Sequence, residues 1–431
     1  MAEKKPIHKP FSLQLNEEAF DFNSLPAEEF APATTEEKEN FIQNRPPTSY
    51  WKDAWRRMRR NTVAMVALVI LALVVLFTFV GPLLVPYTYN QMVAGAENLH
   101  PWHYSLEDQI AIDEATVTPE QAVAQAQAEA EAKGETLSNI QIAQIRAKAK
   151  GSSDIDAVIA ELGVKSHIFG YSRGELERQA AGESVFPHVL GTDSLGRDIM
   201  VRVMMGGRIS LLVGIFAALL VLLIGATYGS ISGYAGGMVD AVMQRIVEVI
   251  QSVPEVLVIL LIATVLRDPL VAYSSSHTGV LATIMNALGA NIIAMFIAFG
   301  LLYWVTMSRI IRGQILQLKQ QEYVTAARAL GARGGRIIKR HLLPNCVGQI
   351  VTTTFLQIPS AIFLESFLSF LGVGVSSPMT SWGSMCSDAL SGMTTYPYRL
   401  FIPAVLLSLT ILCLNLVGDG LRDALDPKLK K

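Results

Sequence analysis

The stretch EYVTAARALGARGGRIIKRHLLPN, residues 322–345, sets Arg328, Arg333, Arg336, Lys339 and Arg340 between two runs apolar enough to lie in a lipid bilayer. Read as a helix, residues 320–330 place Tyr323, Ala326, Ala327 and Leu330 at i, i+3, i+4 and i+7, a single apolar stripe. Two of these are alanine, and burial returns only roughly 0.8 kcal/mol per CH₂. Such a face anchors poorly in lipid and suits close approach to a groove in another protein. Gly331 is expected to cap this helix, "ARGG" to bend the chain, and "RIIKRHLL" to start a second helical piece that Pro344 closes. The expectation is a short amphipathic helix across one mouth of a membrane bundle. On charge alone, a basic helix resting on anionic headgroups competes with it.

The flanks support the membrane reading. The chain of 431 residues is 51% hydrophobic and only 17% charged, against roughly a quarter charged in soluble domains. Residues 61–96, 209–239, 269–308 and 341–364 contain no Asp, Glu, Lys or Arg, and each exceeds the roughly 20 residues a membrane-crossing helix needs. Six spans are predicted, at about 62–84, 209–231, 246–266, 292–311, 347–371 and 400–417. The third contains Glu248, Pro254 and Glu255, expected near its cytoplasmic end, where water and neighbouring helices can satisfy them.

Charge sets the expected orientation. YWKDAWRRMRR, residues 50–60, alternates aromatic and basic residues just before the first span, an interfacial anchor with a positive inner flank. Loop 309–340 and tail 422–431 are also basic, whereas loops 268–290 and 373–398 are nearly free of Lys and Arg. Both termini are therefore expected in the cytoplasm. Along the chain this predicts a disordered cytoplasmic tail at 1–47, an anchor and first span at 48–90, and an extracytoplasmic insert at 91–187. A core with five further spans follows at 188–427, enclosing the loop at about 314–345, and a basic tail closes the chain at 428–431. The insert is rich in Ala, Gln, Glu and Lys and is predicted to form helical pieces.

Cys346, Cys386 and Cys413 form no CxxC pattern, so neither a disulfide framework nor a zinc site is expected. His100 and His103 in "HPWH" have no third metal ligand nearby in sequence. Asp193, Arg197 and Asp198 in "GTDSLGRD" lack a nucleophile and read as a turn orienting the second span. Gly225, Gly229 and Gly233 make a smooth ridge, for packing inside the bundle or for a pathway or partner subunit. Glu365 is an acid inside an apolar run, facing either a substrate amine or a buried donor on another helix. No catalytic constellation, cofactor, metal or nucleic-acid partner is expected.

The pattern "TAARALG…HLLP" resembles the EAA loop of ABC-importer membrane permeases, E-A-A, three residues, Gly, nine residues, then I-x-L-P. Ala326, Ala327, Gly331, Leu343 and Pro344 match it, while Thr325 stands at the Glu and His341 at the Ile position. These departures resemble the peptide-importer branch, with its "EYVxAARALGA" beginning at Glu322 and Tyr323. HVLGTDSLGRDIMVR (188–202), ESFLSFLGVGVSSPMTSWG (365–383) and NLVGDGLRDALDP (415–427) are similar to segments of C-type dipeptide and oligopeptide permeases.

The resemblance implies an all-α integral membrane protein, with six transmembrane helices of the type I ABC-importer permease kind plus the extracytoplasmic helical insert. It implies a bacterial cell-membrane location, a second (B-type) permease subunit, two cytoplasmic ABC ATPases and an extracytoplasmic substrate-binding protein, all in contact with membrane lipid. Glu322, Tyr323, Thr325, Ala326, Ala327, Leu330, Gly331, His341, Leu343 and Pro344 become the ATPase-coupling residues. No G-x-x-x-x-G-K-[ST] occurs, so ATP chemistry is expected on the partners. Peptides are the implied substrates, nickel chelates the alternative. The rival from another class is an ATPase-independent channel or transporter, for which no inverted half-repeats are found.

Overall fold

The computed structural model describes residues 49–102, 104, 106–115, 119–132, 137–152, 155–164, 169–375 and 379–425. The expected tails at 1–47 and 428–431, and His103, lie outside these. The chain divides into two compact units, Met1–Asp53 and Ala54–Lys431. Of the first, only residues 49–53 are described, so the architecture is that of the second.

Among the described residues the chain is helical without strands, and six helical stretches are long and apolar enough to cross a membrane. Helix α1 (Tyr50–Met58) buries Ala54 and Met58 against Ala67, Cys413 and Val417. α2 (Thr62–Phe79) is the first span, begun by Asn61, whose Oδ1 accepts from Ala64 N at 3.1 Å. The insert holds α3 (Leu106–Ala115), α4 (Pro119–Ala132), α5 (Asn139–Ser152), α6 (Ile155–Leu162) and α7 (Arg173–Ala180). α4 packs on α5, and α3 on α6 and α7.

The second span, α8 (Ile199–Ala235), starts ten residues before the predicted 209. Its extra turns contain Arg202 and Arg208, which made the segment look extramembrane in sequence. In the fold each has partners, though only Arg202 meets counter-charges. Arg202 is bonded to Asp193 and Asp388, and the Arg208 Nη2 donates to Phe79 O at 2.9 Å, at the end of α2.

The third span corrects the prediction most. Residues 237–251 form a separate helix, α9 (Gly237–Gln251), and the span is α10 (Glu255–Ser276) rather than 246–266. Pro254 is the cause. It lacks an N–H and disfavours helical geometry in the residue before it, so it opens a helix instead of sitting inside one. Glu248 therefore lies on α9, and α10 continues through Arg267 and Asp268. A short helix, α11 (Val280–Leu288), follows.

The fourth span is two helices, α12 (Ala290–Leu302) and α13 (Trp304–Leu318), parted at Tyr303. After α14 (Glu322–Ala329) and α15 (Gly334–Ile337) comes the fifth span, α16 (Val347–Phe370). Then come α17 (Trp382–Ala389) and the sixth span, α18 (Tyr398–Leu425), longer than the predicted 400–417.

α8 is the axis of the bundle. Gly225, Gly229 and Gly233 lie against α13, where a Cβ would meet the Met307 Cβ at 2.7 Å, Ser308 O at 2.3 Å and Arg312 O at 2.9 Å respectively. The ridge is thus filled by the chain's own fourth span, at a spacing only glycine permits. α16 packs on α8 and α18, and α2 on α18. Many other apolar side chains stay exposed, Leu73, Leu257, Leu261 and Phe401 each above 59%. Lipid, not water, is the solvent for which such a surface is suited.

Candidate functional site

The basic stretch that stood out in the sequence is a helix–turn–helix path at one end of the bundle. α14 is eight residues long and ends in a Schellman turn. Gly331 N donates to Arg328 O at 2.9 Å and Ala332 N to Ala327 O at 3.0 Å, with Gly331 at φ +80°. A side chain with a Cβ would strain this backbone, so the glycine is required by the turn itself.

Pro344 does not close the second piece. From Gly334 the path is helical without a break to Phe370, through a π-helical turn at Ile338–Leu342 and a 3-10 turn at Leu343–Cys346. The widened turn and the tight one together let the chain pass a residue that lacks an N–H and would clash inside a regular helix. The segment is therefore a direct extension of the fifth span.

Its inward face is Val324, Ile337 and Leu342, all fully buried with Met307, Ile311 and Ile315 of α13, Val221 of α8 and Cys346. Ala327 joins this cluster at its edge. The stripe of four expected from the sequence thus splits. Ala327 faces the bundle, while Tyr323 (40% exposed), Ala326 and Leu330 (88% exposed) face outward. Glu322, Thr325, Gly331 and Pro344 are also exposed, and His341 and Leu343 half-buried. Asn345 Nδ2 donates to His341 O at 2.6 Å and to the Tyr323 hydroxyl at 3.3 Å, which joins the two ends of the segment.

Sequence reasoning missed the groups that hold this segment, and the helix α13 beneath it, to the second span and to α9. The Arg328 guanidinium lies 5.3 Å from the ring centroid of Tyr234, and a Cβ on Gly334 would meet the same ring at 2.7 Å. Lys319 Nζ donates to Gly233 O at 2.8 Å, at the C-terminal end of α8 where a cation is favourable. Arg312 donates through Nε and Nη2 to the two oxygens of Asp240, both at 2.6 Å. Those bonds, opposed by burial, hold the Asp240 carboxyl below its ordinary range. One signal was available in the sequence. Asp240 is the first charge after the uncharged run 209–239, and Arg312 follows closely on the uncharged run 269–308.

Glu365 is fully buried and accepts from Ser210 Oγ at 2.8 Å, Ser366 Oγ at 3.1 Å and Ser369 Oγ at 2.8 Å. Its oxygens are engaged by hydroxyls of α8 and α16. At the opposite end of the bundle, Asp198 caps α8 by accepting from Val201 N at 2.9 Å. It also meets His188 Nδ1 at 2.7 Å, and His188 Nε2 meets Glu175 of the insert at 3.2 Å. Burial alone would lower the His188 pKa, but its bonds to Asp198 and Glu175 outweigh that and hold it at about 9. Burial likewise works against the Glu175 carboxylate, which His188 and Ser172 nevertheless hold at about 2. Among the described residues no group of His, Cys, Asp and Glu is arranged to hold a metal ion.

With this geometry in hand, comparison with known proteins places the chain. Residues 225–431 match the model of the binding-protein-dependent transport system inner membrane component. Residues 49–101 match the N-terminal TM domain of oligopeptide transport permease C. The intervening stretch contains most of the insert. The oligopeptide transport system permease protein OppC of Bacillus subtilis is 46% identical over 57% of this chain and 73% of its own length. The dipeptide transport system permease protein DppC of Bacillus subtilis is 33% identical over 95% of each. OppC of Haemophilus influenzae is 34% identical over 88% of this chain and 89% of its own. With its six apolar helices, the chain belongs to the C-type oligopeptide and dipeptide permease family and is a multi-pass membrane permease subunit of the type I fold.

Proposed function

We propose that this chain forms one half of a peptide translocation pathway, with a B-type permease as the other half. Two cytoplasmic ABC ATPases drive the pathway, and an extracytoplasmic binding protein feeds it. The observation that carries this reading is the outward face of α14. Tyr323, Ala326 and Leu330 are exposed on a short helix whose other face is anchored by Val324. An isolated leucine at 88% exposure beside an alanine is poor packing for the free chain and a good knob for a groove. The relatives named for oligopeptide and dipeptide transport support peptides as the cargo.

In this reading the basic end of the bundle, with α1, α14 and the end of α18, faces the cytoplasm, as the excess of Lys and Arg there favours. The insert then faces outward, where α3 to α6 would meet the binding protein or the partner permease. Co-purification tests the main reading. The wild-type chain should retain an ATPase subunit through detergent extraction, and Leu330→Glu should lose it. Recovery of the transporter without any ATPase would overturn the reading. Deleting residues 106–164, which spares the joint between Glu175 and His188, should weaken binding-protein docking. Unchanged docking and uptake would remove the insert from the mechanism.

A further inference from the structure

α9 leaves α8 through Gly236 and Gly237, at φ +67° and +54°, and a Cβ on Gly237 would meet nothing within 4 Å. A Cβ on Gly236 would meet only the end of Lys319, its Nζ at 3.2 Å, so two successive glycines at positive φ make a joint that side-chain packing hardly constrains. The position of α9 must therefore be set by contacts along its length. Val247 is fully buried against Trp304 and Val305 of α13. Tyr228 of α8 donates its hydroxyl to Met243 O at 2.7 Å. Asp240 is the point where three helices meet: Arg312 of α13 grips both its oxygens at 2.6 Å, and Ser232 of α8 bonds to it as well.

α13 is also the helix on which the coupling segment rests, through Met307, Ile311 and Ile315 against Val324, Ile337 and Leu342. One face of α13 thus carries the segment and another carries α9. Past Gln251 the chain runs by Pro254 directly into α10, the third span, whose buried residues are only Ile259 and Ala263. Of the six spans it is the least enclosed by the rest of the chain.

We propose that the Asp240–Arg312 pair is a positioning clamp that makes α9, and through it the third membrane span, follow the coupling segment when that segment moves. The proposal rests on reading residues 322–345 as the ATPase-docking segment. The form of the pair fits this role better than a stabilising one. The Asp240 and Arg312 side chains are 14% and 30% exposed, so solvent screens the pair in part and moderates its contribution to stability. A guanidinium held at both oxygens of a carboxylate does fix an angle, which an ammonium at the same place would not. The clamp therefore defines the direction in which α9 is carried.

The test uses the whole complex, this chain with its partner permease, both ATPases and the binding protein, in proteoliposomes. Three forms are compared with wild type: Asp240→Asn, Arg312→Lys, and the exchanged pair Asp240→Arg with Arg312→Asp. ATP hydrolysis, uptake of a labelled oligopeptide per ATP consumed, and melting temperature are read together. Each single variant should keep hydrolysis within about twofold, as a half-open ion pair allows, yet lose about tenfold in uptake per ATP. The exchanged pair should recover about half of that loss. Unchanged uptake per ATP in the single variants overturns the proposal, and so does a parallel fall of hydrolysis, uptake and melting temperature. A wild-type complex that binds no ATPase would instead sink the coupling reading on which the clamp depends.

Discussion

The two ends of the bundle are held together by different physics. At the insert end, His188 is fully buried between the carboxylates of Asp198 and Glu175, and Arg202 between those of Asp193 and Asp388. Asp388 is half exposed, but the pairs of His188 with Asp198 and Glu175 and of Arg202 with Asp193 are buried, and breaking such a pair by removing one partner costs about 3–5 kcal/mol, because the remaining charge is stranded. At the basic end, the coupling segment rests on apolar side chains, Val324, Ile337 and Leu342 against α13, while its charged contacts are partly exposed. Apolar contact is non-directional and lets surfaces slide and reseat. A buried charge cluster tolerates no such displacement. On the proposed reading of residues 322–345, the insert end anchors the bundle and the basic end is the part free to move.

The largest expected effect comes from the ridge on which movable and fixed parts share α8. Gly229→Val would put a Cβ 2.3 Å from Ser308 O, forcing α8 and α13 apart at about 3 kcal/mol or more. A large drop in the melting temperature of the purified chain is expected, and full stability would mean that this approach is not what joins the two helices. Next comes Leu330→Glu, on the outward face of α14. It should weaken ATPase retention by about 2 kcal/mol, the size of an interface hot spot, with the melting temperature unchanged because Leu330 is 88% exposed. Equal loss of stability would show that the face belongs to the fold.

A smaller effect separates the ends by pH. The His188 pKa is raised from an ordinary 6.5 to about 9, so its contribution to stability is complete below 6.5 and is lost as pH rises through 9. The Glu175 pKa is depressed from 4.5 to about 2, so its contribution is present above 4.5 and is lost as pH falls toward 2. Stability of the insert end should therefore be flat from 4.5 to 6.5 and decline on the alkaline side, which melting curves can follow. In His188→Gln the alkaline decline should flatten, and an identical slope in the variant would detach it from this cluster. The smallest effect is at the basic end. A double-mutant cycle on Tyr234→Leu and Arg328→Gln should give a coupling of about 0.5 kcal/mol, the scale of an exposed cation–π contact. A coupling of several kcal/mol would mean that this end is as rigid as the other.

Much of this was legible from residue order. The six spans follow from long apolar stretches, four of them on uncharged runs longer than a bilayer requires, and the alanine-rich segment with its glycine turn was visible in the spacing of Ala326, Ala327 and Gly331. The third span was misplaced because an apolar run tells where a helix fits in lipid but not where it starts, and Pro254 decided the start. The second span was cut short at 209 because a sequence shows Arg202 and Arg208 as charges, and not that Arg202 is paired with Asp193 and Arg208 set against Phe79. Val324 was passed over for Ala327 because an eight-residue helix offers apolar residues on two faces, and nothing local says which one meets the bundle.

Sequence by itself determined the class of molecule and the number of crossings, and it marked out residues 322–345 as a separate alanine-rich segment, since each depends on local composition and period. Tertiary structure alone decided which face of α14 is anchored, that the glycine ridge of α8 is filled by α13, and that Glu365 is met by serines from two helices. It alone brought Asp240 to Arg312, residues separated by 72 positions. Hydrophobic length and turn chemistry act within a few residues of chain, whereas these pairings exist only once distant helices are brought to contact distance.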